Sequence, residues 1–119
     1  MYLPNFSNAL IDINKLSEYC LNEDHPIGKY KARLFKSALN ISKEHALILK
    51  NEIIRKLPYS KALLGGKDHF GTRYSVNIKI AIFEKEAIVC TAWIVKDGEN
   101  FPRLTSCYIK KNKGDGKEI

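Results

Sequence analysis

Cysteine is scarce in this chain, and the three present, Cys20, Cys90 and Cys107, form no C-x-x-C pair. An odd number without metal-ligand spacing argues against a disulfide framework or a zinc knuckle, so a reducing, cytoplasmic compartment is the expectation. Long apolar runs are missing as well. The longest, such as Ala87 to Val95, are far too short to cross a bilayer as a helix. Met1-Tyr2-Leu3-Pro4-Asn5 has neither the basic region nor the apolar stretch of a secretion signal. No Walker loop, G-x-G-x-x-G, H-E-x-x-H or G-x-S-x-G pattern occurs, and Gly65-Gly66 is too bare to cradle a phosphate. ATP-driven, nicotinamide-dependent and metallopeptidase activities are thereby set aside. With no H-x-x-x-H, H-x-H or Cys/His cluster either, no metal and no cofactor is expected.

Negative charge is the other shortage. Twenty Lys and Arg against 13 Asp and Glu leave a formal net charge of +7 on 119 residues. Such a field steers a small body toward a polyanion or an acidic protein partner. The apolar and charged fractions, 45% and 28%, are those of an ordinary soluble globular domain. The length allows one core, so residues 1–110 read as a single domain and 111–119 as a frayed basic tail.

Apolar spacing divides the chain in two. Asp12 is a cap for a helix from Ile13 to Cys20; a second helix is predicted from Gly28 to Leu39, ended by Asn40. Ser42 caps a third from Lys43 to Leu57, with Ala46, Leu49, Ile53 and Leu57 in one stripe before Pro58. Beyond Pro58 the period falls from about 3.6 residues to 2. Ser60 to Leu64, Arg73 to Ile82, Ala87 to Lys96 and Arg103 to Lys110 read as strands, with Glu84-Lys85-Glu86 as a hairpin turn. Helices followed by a meander predict an α+β fold: about three N-terminal helices on one face of a four-stranded antiparallel sheet.

The candidate chemistry begins at Asp24-His25-Pro26-Ile27-Gly28-Lys29-Tyr30-Lys31. At about 100° per residue Ile27, Leu34, Phe35 and Ala38 share a broad arc, and Lys31 projects near its middle. A cation in an apolar stripe must snorkel, pair or await an anion. His25, just upstream, is a candidate proton carrier, because imidazole ordinarily titrates near neutrality. His69 in a Gly-rich loop is a secondary candidate, and His45 is expected to face solvent. Lys29 and Lys31 flank a helix N-terminus that already favours phosphate, and with Arg33 they are candidate substrate-binding groups. Arg73-Tyr74 and Arg103 to Tyr108 offer guanidinium forks, hydroxyls and aromatic faces on strands. Trp93, Cys90 and Cys107 read as core residues.

Tyr19-Cys20-Leu21-Asn22, His25-Pro26-Ile27-Gly28, Lys31-Ala32-Arg33-Leu34-Phe35, Gly71-Thr72-Arg73-Tyr74, Thr91-Ala92-Trp93-Ile94 and Pro102 to Tyr108 together resemble a bacterial domain family of unknown function. The likeness covers most of residues 16–109. Cys20 departs from it, standing where the family usually has leucine, a change expected to leave the site untouched. Members occur in toxin–antitoxin gene pairs and at the tips of polymorphic toxins, and their element order is similar to the barnase, EndoU, colicin and RelE-like ribonucleases. The resemblance implies metal-independent RNA cleavage by 2′-OH attack, leaving a cyclic phosphate. On that reading His25 is expected to do general acid/base work, Lys31 and Arg103 to stabilise charge, and Thr105 and Tyr108 to position or donate a proton, while Lys29, Arg33, Arg73 and Tyr74 are the candidate substrate-binding residues. It also implies a cognate antitoxin or immunity protein, acidic in character. Two other readings stand beside it: a non-catalytic module that binds nucleic acid or a partner, and a scaffold in which the His-Pro-x-Gly turn only caps a helix.

Overall fold

The computed structural model describes residues 1–110, and the expected basic tail, residues 111–119, lies outside them. Asp12 caps the first helix as expected, its Oδ1 accepting from the Asn14 N–H at 3.0 Å. That helix, α1, is one turn over Ile13–Lys15 and runs on as a π-helical turn, Leu16–Cys20. α2 spans Lys29–Leu39 and stops at Asn40, which is left-handed at φ 56°. Residues Lys43–His45 form a 3-10 turn leading into α3, Ala46–Lys56, and a second such turn, Leu57–Tyr59, holds Pro58. His45, expected in solvent, is half-buried: its Nδ1 accepts from the Ser42 N–H at 2.9 Å and its ring meets Phe83 edge-on.

Four antiparallel strands follow in sequence order: β1 Ala62–Asp68, β2 Gly71–Ile82, β3 Lys85–Lys96 and β4 Pro102–Ile109. The fold is α+β, with the helices N-terminal to the sheet. Strand alternation sends Val76, Ile78 and Ile80 of β2, Val89 and Trp93 of β3, and Leu104 and Cys107 of β4 into one core with Leu16, Cys20, Phe35, Leu39, Leu49 and Ile53. A wholly buried side chain such as Phe35 contributes about 1.5–3 kcal/mol over leaving it in water. Ile27, placed by periodicity on the same stripe, is 65% exposed instead, because it lies in the turn before α2 begins.

Three local departures from regular geometry shape the sheet. The β2–β3 turn is Phe83-Glu84, not Glu84-Lys85-Glu86, with both residues at positive φ (51° and 65°) and Ile82 paired to Lys85. Gly65-Gly66 forms a bulge inside β1, where the register with β2 shifts between Leu64 and Lys67. In β4, Ala92 pairs with Ser106 but Trp93 with Leu104, so Thr105 is an inserted residue. Leu10 also runs parallel to β4 at Arg103, giving its N–H to Pro102 O and taking that of Leu104. The edge of β4 is covered, and Asp12 and Lys15 are carried beside it.

Candidate functional site

His25 is built into the start of α2. Its Nδ1 accepts from the main-chain N–H of Ile27 at 3.0 Å and of Gly28 at 2.9 Å, and its carbonyl accepts from Lys29 N–H. An imidazole thereby does the work of a capping Ser or Asp. With Nδ1 so engaged, the neutral ring carries its proton on Nε2.

Gly28 explains the His-Pro-x-Gly spacing. Its φ of −65° is open to any residue, yet a Cβ there would fall 2.1 Å from Tyr19 O and 2.9 Å from Tyr19 Cδ1. The start of α2 therefore lies directly on the main chain of the π turn. That contact stacks the Tyr19 and His25 rings edge to face, with centroids 4.9 Å apart.

Lys31, two residues into α2, turns back to the same place. Its Nζ donates to Tyr19 Oη at 2.6 Å and stands 4.5 Å from the ring centroid. The cation that interrupts the apolar stripe thus has a partner. Because the phenol oxygen accepts from Lys31, the Tyr19 hydroxyl proton is free to point elsewhere.

Tyr19, His25 and Thr105 line one open cleft of about 540 Å³ together with Asp12, Asn14, Lys15 and Glu18. Thr105 reaches it through the β4 bulge, its Oγ1 tethered to Ala92 O at 3.1 Å. A neighbouring cleft of about 180 Å³ shares Asp12, Lys15 and Thr105 and adds Lys96 and Arg103. The two form a continuous groove over the β4 edge.

The other sequence candidates do not line the His25 cleft itself. Arg103 pairs with Ile94 and Tyr108 with Cys90, which places both on the sheet face away from the helices and away from Lys31. Arg103 gives two hydrogen bonds to Glu99, at 2.9 and 2.8 Å, and the pairing holds the Glu99 carboxyl below its ordinary range. Tyr108 bonds the Cys90 thiol, which raises its hydroxyl above the usual phenol range. Arg73 shares the Arg103 face and faces Asp68 at 3.6 Å, whereas Tyr74 points the other way and packs on the core. Lys29 and Arg33 lie on the outer side of α2 near Tyr30. His69 sits in the β1–β2 turn, its ring 4.0 Å from that of Phe70.

Two residues that the spacing arguments passed over stand at the centre. Tyr19 figures in the sequence only as part of the motif shared with the family. Cys20, whose departure from the family's leucine is expected to leave the site untouched, is wholly buried beside Cys107, with its Sγ 3.9 Å from Ser106 Oγ. Hydrogen bonds from the Cys107 thiol and main chain, then from Ser106, with help from the Lys31 charge, lower the Cys20 thiol to about 6 against the cost of burial. Cys107, the buried donor in that pair, is raised. Among the described residues no three His, Cys, Asp or Glu side chains stand close enough to hold a metal ion, and no helix is long and apolar enough to cross a membrane.

The chain belongs to the family described as domain of unknown function DUF6883, whose model matches residues 2–111. Searches among curated proteins and solved structures return no match.

Proposed function

For this member of a family without an assigned activity, we propose metal-independent cleavage of RNA in the Tyr19–His25–Thr105 cleft, the chain acting as the toxin of a bacterial toxin–antitoxin pair. The observation that carries the reading is the convergence of a polarised phenol, an oriented imidazole N–H and a hydroxyl on one solvent-open cleft. Glu18, whose carboxylate lines the same cleft, takes the proton of a ribose 2′-OH as its oxygen attacks phosphorus. The bond to the 5′-oxygen breaks, and Tyr19 hands that oxygen its hydroxyl proton. Lys31 stabilises the charge left on the phenol, and His25 Nε2–H and Lys15 support the phosphorane oxygens. A 2′,3′-cyclic phosphate and a free 5′-hydroxyl result.

This arrangement moves His25 from proton carrier to hydrogen-bond donor, because the helix N–H groups already occupy Nδ1. The net charge of +7 supports an acidic antitoxin or immunity protein as the neutralising partner. The alternative, a non-catalytic binding module, draws on the neutralisation of Arg103 by Glu99 and the placement of Tyr108 on the far sheet face. Incubating purified protein with RNA and assaying for cyclic-phosphate ends decides between them. Cleavage that falls about 10²–10⁴-fold in Tyr19→Phe is the expected result, the worth of one general acid. Unchanged RNA with the parent, or parental rates in Tyr19→Phe, would overturn the assignment.

A further inference from the structure

α2 carries four cations, Lys29, Lys31, Arg33 and Lys36, and no Asp or Glu. A solvent-facing helix ordinarily alternates charge so that neighbours one turn apart attract. Here they repel, and none of the four forms an ion pair among the described residues. Lys31 is spoken for by Tyr19. The other three are not committed to any acidic group among the described residues.

Tyr30 stands among them. The residue is 61% exposed, with Lys29 Nζ over its ring at 5.3 Å and Arg33 Cζ over it at 5.7 Å from the centroid, and Ile27 in the preceding turn is 65% exposed. The ring thus contributes nothing to the core. An exposed ring with two mobile-stemmed cations over it suits one occupant better than others, because a base can take their place on the ring while the cations turn to its flanking phosphates.

We propose that the outer face of α2 is a docking strip for single-stranded nucleic acid, with Tyr30 as the stacking platform and Lys29 and Arg33 as phosphate grips. An acidic protein would use the cations and gain little from the ring. A duplex keeps its bases stacked on each other and offers the ring no free face. The strip begins where the cleft ends, since the Lys29 N–H bonds the His25 carbonyl. It names the form of the substrate and in that respect rests on the ribonuclease reading.

The test measures binding of a fluorescent single-stranded DNA of about ten nucleotides, a typical site size. It lacks the 2′-OH and so survives the proposed chemistry. Tyr30→Ala is expected to weaken binding by roughly 5- to 150-fold, the worth of one base–aromatic stack, and Tyr30→Phe to retain it. Lys29→Gln with Arg33→Gln is expected to reduce the slope of log affinity against log salt by about 1.4, for two phosphate contacts on a single strand. Parental binding by Tyr30→Ala overturns the proposal, as does equal competition by duplex DNA or polyglutamate. The matching RNA is assayed for cleavage alongside. Tyr30-dependent binding without cleavage upholds the strip and ends the ribonuclease reading. Cleavage by Tyr30→Ala at parental kcat and KM does the reverse.

Discussion

Lys31 Nζ lies 2.6 Å from the Tyr19 hydroxyl oxygen, across the seam between α2 and the π turn. A lysine that would have served the core better as leucine is thereby committed to a phenol that lines the cleft. Lys31→Met keeps the aliphatic stem and removes only the ammonium. RNA cleavage is expected to fall about as far as in Tyr19→Phe, and the double variant to lose little more, since the two act as one unit. Additive losses in a double-mutant cycle would show that they act separately.

His25 has two separable jobs, capping α2 and donating from Nε2. His25→Ala loses both, and its stability is expected to drop by about 0.5–2 kcal/mol, the range for a lost cap. His25→Asn keeps an acceptor for the Ile27 and Gly28 N–H groups and is expected to fold with near-parental stability while cleaving poorly. Urea denaturation and RNA cleavage measured on both variants check this. An active His25→Asn would leave the residue a purely structural part.

Gly28→Ala tests the contact that brings His25 to Tyr19. The new Cβ would overlap main-chain atoms of Tyr19, which cannot swing aside as a side-chain tip would. A loss of about 1–3 kcal/mol in denaturant unfolding is expected, with cleavage reduced as the rings separate. Parental stability would mean that the π turn yields easily.

Thr91 holds the centre of the sheet. It is fully buried, donates to Val76 O at 2.8 Å and accepts from Trp93 Nε1 at 2.8 Å. Thr91→Val preserves shape but strands the indole N–H, at an expected cost of about 1–3 kcal/mol. Trp93→Phe in the same background removes the stranded donor. Less further loss than Trp93→Phe causes in the parent is the expected outcome of that cycle.

The thiol pair makes stability depend on pH. Cys20 is lowered in the fold to about 6 from an ordinary 9.0, so its contribution is complete above about 9 and is lost as pH falls through 6. Cys107 shifts the opposite way, so the fold loses stability as pH rises above the ordinary thiol range. Denaturant midpoints are expected to climb between pH 6 and 9, and that climb to vanish in Cys20→Ala. Ultraviolet absorbance of the native thiolate over the same range is a second check.

Much of the fold was legible because its signals are local. The cap at Asp12, the stop at Asn40 and the change of period after Pro58 all arise within a few residues of where they act. The Phe83-Glu84 turn was not, since neither residue favours positive φ; the contact of Phe83 with His45, far off in sequence, accompanies it.

The candidate site divides along the same line. The sequence by itself determined the element order, the excess of positive charge and the His-Pro-x-Gly-x-x-Lys segment at the head of α2. Only the tertiary structure decided that the segment turns toward Tyr19, and that Arg103 and Tyr108 face away from it. The reason is one inserted residue. Strand faces alternate with a period of two, so the Thr105 bulge puts Arg103 and Tyr108, otherwise on opposite faces, on the same one. Thr105 alone of the three remains in the cleft with His25. A bulge is fixed by pairing across strands far apart in the chain, which no spacing within Arg103 to Tyr108 records.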